Sequence, residues 1–287
     1  MYRVEDTNNG IKVYGIKDFK PKHIFECGQC FRWNLSPAGY YHGVANSRYV
    51  EIRYEENELE IVGAKKEDFN DFWINYFDLK RDYSKIKEEL ALKDEYLQAS
   101  VLFGDGIRIL CQDPFETLIS FIISANNNIP RIKKCIESLC RGYGTKIKDE
   151  VYAFPTPEQL VDICEEELSA YIKAGYRSKY IVEATRTFIE NPFSKENFEG
   201  FDIDEARGFM QQYKGVGPKV ADCVLLFTGL YYNAFPVDVW VKKVMTNLYK
   251  VSTPKEINTF VQSYFGENAG FAQQYLFYAI REGFLKV

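Results

Sequence analysis

The residues best suited to chemistry in this chain are a lysine behind a glycine-rich turn and an aspartate nineteen residues further on, Lys219 and Asp238. Lys219 follows Gly215-Val216-Gly217-Pro218, where two glycines favour a tight turn and the proline suits the first position of a helix. An ammonium in that first turn opposes the positive end of the helix dipole, and burial opposes it further. Both effects favour a neutral, nucleophilic amine. A solvated lysine, or one that only touches a phosphate, fits the same stretch equally well. Cys223 lies four residues on and on the same helical face, where its plainest role is that of a small core residue. Asp238, within Phe235-Pro236-Val237-Asp238-Val239-Trp240, heads an apolar segment as a good helix N-cap. A carboxylate there can also face the amine across a cleft and stabilise positive charge developing on a substrate, which spacing alone does not establish.

These side chains need elements to hold them. A helix over Glu205–Tyr213, the turn, and a helix from Pro218 make a helix–hairpin–helix, with the hairpin at 213–218. Its exposed backbone N–H groups and the following helix N-terminus are a favourable seat for a phosphate. Upstream, Asp113-Pro114-Phe115-Glu116 supplies an N-cap, a proline at N1 and an acid at N3. Phe115, Leu118, Ile119, Ile122 and Ile123 then form one apolar face, ending in the polar stop Asn126-Asn127-Asn128-Ile129-Pro130. The first third reads differently. Tyr40–Val44, Tyr49–Tyr54 and Leu59–Val62 are short aromatic or β-branched runs broken by Ser36-Pro37-Ala38-Gly39 and Glu55-Glu56-Asn57-Glu58, the pattern of antiparallel strands. The predicted fold is α+β: an N-terminal antiparallel β-rich domain over 1–95, followed by a helical body over 96–287.

Composition narrows the classes. The 287 residues are 46% hydrophobic and 27% charged, which fits a globular protein and argues against disorder or a disulfide-rich mini-protein. No apolar run approaches the roughly 18 residues of a membrane span, and the mixed-charge start lacks an apolar signal core. Seven scattered cysteines read as free thiols of a reducing cytoplasm. The lone Cys27-Gly28-Gln29-Cys30 lacks the two further soft ligands a zinc site needs. With only His23 and His42, both near the start, histidine-based catalysis is not expected. A net charge of −5 by itself opposes nucleic acid, but it averages unlike segments. Residues 126–150 carry six basic and three acidic side chains, and 211–250 carry five and two, each a local excess of +3. Bulk attraction to phosphate is therefore limited, while the hairpin and the triple-Asn stretch are locally basic.

Gly-Val-Gly-Pro-Lys followed by Pro-Val-Asp resembles the helix–hairpin–helix, Gly/Pro–Asp superfamily of DNA glycosylases. Three further windows resemble its 8-oxoguanine DNA glycosylases: Cys27-Gly28-Gln29-Cys30-Phe31-Arg32-Trp33; Gln112-Asp113-Pro114 through Asn126-Asn127-Asn128 with Arg131; and Ala269 to Phe277. The likeness runs in consistent order from about residue 20 to the end. It implies a two-part all-helical body of that superfamily, and a glycosylase and abasic-site lyase acting on 8-oxoguanine in duplex DNA. The same fold aimed at an alkylated purine or a mispaired adenine, and a non-catalytic DNA-binding protein, are the alternatives.

Carried over by position, the resemblance implies Lys219 as nucleophile and Asp238 as catalytic aspartate, with Gly28, Cys223, Gln273, Phe277 and Pro236 around the damaged base. Asn126 fills the hole left by the extruded base, with Asn127 beside it. Arg131 and Arg177 read the orphan cytosine, and Tyr176 acts as a wedge. Gly215, Val216 and Gly217 grip phosphates, and carbonyls of Tyr213 and Val216 are candidates for a structural cation. No cofactor is implied. The protein expected is a monomeric, cytoplasmic, nucleoid-associated enzyme of a prokaryote. Chemistry supports the pocket: 8-oxoguanine carries an N7–H donor where guanine has a lone pair, so a backbone carbonyl at Gly28 accepts from the first and repels the second. Gln273 and Phe277, at i and i+4, put an amide and a ring on one helical face. Two positions depart from the family pattern. Lys214 stands where many relatives have proline, and Trp240 stands where animal members have a histidine, which puts a histidine–phosphate contact in doubt.

Overall fold

The computed structural model describes residues 2–286. Six strands, β1 (Arg3–Asp6), β2 (Gly10–Tyr14), β3 (Trp33–Leu35), β4 (Tyr41–Ala45), β5 (Arg48–Glu55) and β6 (Glu58–Val62), form one antiparallel sheet in the order β1-β2-β6-β5-β4-β3. The two hairpins at its centre turn through Asn46-Ser47 and Glu56-Asn57, all four with positive φ. That geometry matches the twist of the flanking strands. Alternate residues of β2, β5 and β6 (Ile11, Val13, Val50, Ile52, Leu59, Ile61) are buried, and they pack with Phe25, Trp33, Phe69, Trp73 and Phe77 into one core.

A second, larger core lies in the helical body and includes Tyr83, Ile86 and Leu90 of the helix Tyr83–Ala91. The body is built around the helix Pro114–Ser124, which starts as the sequence dictates: Asp113 Oδ1 accepts the Glu116 N–H at 2.8 Å and Pro114 sits in the first turn. The first hairpin helix spans Ile203–Met210 and ends before Tyr213. It starts early because Asp202 and Glu205 form a reciprocal capping box. The body is not wholly helical. Lys146–Lys148 pairs with Val151–Tyr152 in a two-stranded ribbon turned at Asp149, which has φ of +36°. The short alternating run Lys-Ile-Lys explains a ribbon there better than a helix.

A buried side chain ties the sheet side to the body. Gln29, fully buried, donates to the carbonyls of Ile24 (2.9 Å) and Arg108 (2.7 Å) and accepts the Leu110 N–H (2.8 Å). The loop that carries Gly28 is thereby fixed to the Arg108–Leu110 segment that leads into the helix Pro114–Ser124.

Nearby, burial pushes the Glu116 carboxyl up to about 7, against the pull of Arg32. Its unfolded value is 4.5, so the native state holds the extra proton between about pH 4.5 and 7. Stability conferred by that proton is present at pH 5 and lost as the pH rises through 7. Glu116→Gln is therefore expected to unfold like the parent at pH 5 in urea. At pH 8 it should be more stable by on the order of 2 kcal/mol. Parallel pH profiles for the two proteins would contradict this.

Candidate active site

The hairpin is built as its glycines require. Gly215 has φ of +84°, and a Cβ there would lie 2.7 Å from the Tyr180 side chain, so neither the conformation nor the space admits another residue. The Val216 N–H closes the turn on the Tyr213 carbonyl at 3.1 Å. Gly217 caps the second hairpin helix, Pro218–Phe227, with nothing within 4 Å of its own missing Cβ. That open approach suits a phosphate on the backbone N–H groups. The two hairpin helices are clamped by Arg207, whose Nε donates to Asp222 Oδ1 at 2.7 Å across a buried pair.

Lys219, half-buried on that second helix, has its Nζ 5.2 Å from the centroid of the Phe121 ring. Phe121 stacks on Phe227 (5.3 Å) and meets Phe31 edge-on (5.5 Å), an aromatic wall beside the amine. Asp238 begins the helix Val239–Asn247: its Oδ1 accepts the N–H groups of Trp240 (2.9 Å) and Val241 (2.8 Å), while Oδ2 takes no part in the cap. Burial raises the Asp238 carboxyl above its usual range, and the two N–H groups and the Lys219 charge oppose that rise. Burial likewise pushes the Cys223 thiol up to about 11, with Lys219 again opposing. Lysine, aspartate and thiol thus share one electrostatic neighbourhood, with the thiol held neutral. A cavity of about 610 Å³ borders Lys219, lined also by Pro218, Asp222, Phe235, Val237 and Lys242.

Two other predicted pocket residues, Gln273 and Phe277, lie on the C-terminal helix, Ala269–Arg281, which does not line that cavity. Gly270 lets this helix approach closely: a Cβ there would lie 2.4 Å from Leu226 and 2.6 Å from the Tyr232 carbonyl. The contact lies one turn from Gln273 on this helix and one turn from Cys223 on the hairpin helix. Gln273 is buried, and its Oε1 has no hydrogen-bond partner among the described residues. An acceptor buried without a partner carries a desolvation cost that a ligand donor would remove. Gly28 has φ of +84°, and a Cβ there would lie 3.0 Å from Phe277 Cε1, so glycine alone permits this approach. Pro236 is buried in the segment leading to Asp238.

The triple-Asn loop stands apart. Asn126 is exposed at its tip in the left-handed region (φ +49°), which asparagine tolerates better than most residues. Asn127 is tied back to the Ile123 carbonyl (3.0 Å), and Asn128 caps the next helix through the Arg131 N–H (3.1 Å). Tyr176 is 54% exposed and Arg131 is exposed, with its Nη2 on the Lys173 carbonyl at 3.3 Å. Arg177 differs from the solvated side chain its sequence context suggests. It is 4% exposed and donates to the carbonyls of Ala125 (2.6 Å from Nη2), Asn126 (2.8 Å) and Ala174 (3.1 Å). Its guanidinium holds the loop that presents Asn126.

Three positioning residues escape sequence reasoning. Gln29 has been described. Gln274, buried, donates to the Cys27 carbonyl at 2.7 Å and fastens the C-terminal helix to the Gly28 loop. Arg281 donates to the Glu26 carbonyl from the same helix. Two adjacent glutamines and an arginine in an otherwise apolar helix were the available signal. Among the described residues no group of histidine, cysteine or carboxylate ligands can hold a metal, and no helix is long and apolar enough to cross a membrane.

Sheet, hairpin and capped aspartate together are the architecture of a helix–hairpin–helix base-excision protein. Residues 119–266 match the family described as HhH-GPD superfamily base excision DNA repair protein, and residues 13–118 match the 8-oxoguanine DNA glycosylase N-terminal domain. The chain belongs to this superfamily, in its 8-oxoguanine DNA glycosylase branch. It is 32% identical over 264 residues to a probable N-glycosylase/DNA lyase of Methanothermobacter thermautotrophicus, covering 82% of this chain and 84% of the relative. Among solved structures it is similar to the Clostridium acetobutylicum 8-oxoguanine glycosylase/lyase in complex with double-stranded DNA containing cytosine opposite 8-oxoG. That match has a TM-score of 0.92, 42% identity and 99% of both chains covered. MBOgg1 in complex with a low-affinity DNA ligand is similar with a TM-score of 0.93, 45% identity and 99% of both chains.

Proposed function

We propose that this chain is a bifunctional glycosylase and abasic-site lyase that removes 8-oxoguanine from duplex DNA, with Lys219 as nucleophile. The observation that carries the reading is a half-buried lysine sharing one electrostatic neighbourhood with a capping aspartate that keeps one oxygen outside its cap. Gly270 brings the lysine's hairpin helix against the helix of the buried, unpaired Gln273. The hairpin N–H groups hold backbone phosphates, and we assign a structural cation to the carbonyls of Tyr213 and Val216. The base is extruded, Asn126 enters the gap, and Tyr176 wedges beside it. Arg131 meets the orphan partner, and Arg177 joins it on release from the loop carbonyls. The base lies between Phe277 and Cys223, with Gln273 on its Watson–Crick edge and Gly28 against N7–H.

The Lys219 amine then attacks C1′, the C1′–N9 bond breaks, and the base leaves with its electron pair and takes a proton. Asp238 stabilises the oxocarbenium character of that step. The sugar ring opens to an imine on Lys219, and loss of the C2′ proton expels the 3′ phosphate. The resulting lyase needs no redox cofactor. We place it as a monomer in a prokaryotic cytoplasm, where all seven cysteines stand as unpaired thiols. Single-turnover excision from duplexes carrying 8-oxoguanine, an alkylated purine or adenine opposite 8-oxoguanine tests the reading. Release is expected from the first, faster by roughly 100-fold or more than from the others. Preferential release of either other base would overturn the proposed substrate.

A further inference from the structure

We infer that the cavity beside Lys219 holds a backbone phosphate of the damaged DNA strand, clasped between the amines of Lys242 and Lys255. The inference rests on the base-excision reading above and deepens it. The cavity, of about 610 Å³, lies between the hairpin helix Pro218–Phe227 and the helices Val239–Asn247 and Pro254–Phe260. None of Gly28, Gln273 and Phe277 borders it, so it is a separate space from the one assigned to the base. Phe235, Ile257 and Val261 give it apolar walls. Its charged lining is mostly basic, with Arg207, Lys219, Lys242 and Lys255 against Asp222.

These charges are not equally free. Asp222 Oδ1 accepts from Arg207 Nε at 2.7 Å, and Arg207 Nη1 reaches Asp204 at 2.7 Å, so these three satisfy one another. Glu256, next to Lys255, is spent on the N–H groups of Ser252 and Thr253, each at 3.0 Å. Lys219 is committed to C1′ in the proposed chemistry. Lys242 and Lys255 remain, both exposed, and neither amine is in an ion pair or hydrogen bond among the described residues. A cleft lined by one sign of charge with apolar walls focuses that field, and the ligand it selects is an anion.

Continuity with the hairpin decides which anion. Pro218 and Lys219 border the cavity and also open the helix whose N-terminus, with the hairpin N–H groups, faces phosphate. The Lys219 amine has to reach C1′ of the damaged nucleotide, so a cavity bordering it runs along that nucleotide's own strand. Arg131 and Tyr176, assigned to the orphan side, are not among its walls. A phosphate of the damaged strand beyond those on the hairpin therefore enters between Lys242 and Lys255, with its sugar against the apolar wall. Such a contact fixes the register of the strand without reading its sequence.

The test is binding of the full chain, across a range of salt concentrations, to a duplex with a tetrahydrofuran abasic analogue opposite cytosine. That duplex has no base to release. Lys242→Met/Lys255→Met is expected to bind roughly tenfold more weakly at low salt. Its slope of log K against log salt should be shallower by about 1, the value for one phosphate. Both positions are exposed, so stability should stay within about 0.5 kcal/mol for each substitution. Lys242→Arg/Lys255→Arg keeps both charges and is expected to keep the parental slope. Replacing the phosphates of the damaged strand one at a time with uncharged methylphosphonate then locates the contact. One position should cost the parent roughly tenfold and the methionine variant nothing further. A methionine variant with the parental slope and the parental methylphosphonate profile would overturn the inference. A shallower slope with no position made silent would reduce the two lysines to bulk charge and overturn it equally. A parent that binds the abasic duplex no better than an intact one would instead tell against the base-excision reading.

Discussion

Lys219→Gln is expected to leave the protein folded while slowing release of 8-oxoguanine by at least about 1000-fold and abolishing borohydride trapping. Glutamine keeps the length and polarity of the side chain but has no free amine to attack C1′ or form an imine. The fold should tolerate it, because Lys219 is half-buried on the first turn of a helix whose other residues from Val220 to Phe227 supply the packing. Substitutions of that kind shift stability by about 0.5 kcal/mol or less. A lysine that only touched a phosphate would behave differently. Its loss would weaken DNA binding by roughly tenfold and leave trapping of the bound enzyme intact.

Asp238→Asn should separate chemistry from structure at the second position. Asparagine is as good an N-cap as aspartate, so its side-chain oxygen can still accept the Trp240 and Val241 N–H groups that Asp238 Oδ1 accepts now. Stability is expected to stay within about 0.5 kcal/mol, whereas Asp238→Ala loses the cap and about 1 kcal/mol. Base release falls by roughly 100- to 1000-fold in both, because the negative charge facing the oxocarbenium is gone. A pH profile adds a second readout. Burial raises the Asp238 carboxyl, so the active carboxylate form is lost as the pH falls through that raised value. The acid limb of the parent profile should disappear in the asparagine variant. An asparagine variant with near-parental rates would leave Asp238 as a cap alone.

The parts of this site that sequence exposes are those fixed by neighbours in the chain. Asp113, Asp238 and Asn128 each cap a helix that begins one residue later, and short spacing is all that such bonds require. Gly215 is legible for the same reason, since a turn with φ of +84° selects glycine locally. The strands Tyr41–Ala45, Arg48–Glu55 and Glu58–Val62 follow from alternation and turn residues, whereas β1 and β3 are too short or too polar to announce themselves; β2, with Ile11 and Val13 on one face, carries the same alternation. Composition and spacing are silent about bonds between distant segments. Gln274 reaches Cys27 across 247 residues and Arg281 reaches Glu26 across 255, yet both bonds place Gly28. Arg177 shows the converse: a basic residue at the start of an amphipathic helix reads as solvated, and its burial follows only from three loop carbonyls folded around it. The family resemblance pointed to Gly28 and Arg177 but not to Gln274 or Arg281, whose bonds hold the Gly28 loop.

The most direct test is to trap the parent protein on a duplex carrying 8-oxoguanine opposite cytosine with borohydride, and to map the cross-linked peptide by mass spectrometry. The mechanism predicts a covalent adduct on Lys219 alone, formed with the damaged duplex and not with the undamaged one. An adduct on another amine, or base release from the damaged duplex with no adduct, would contradict it.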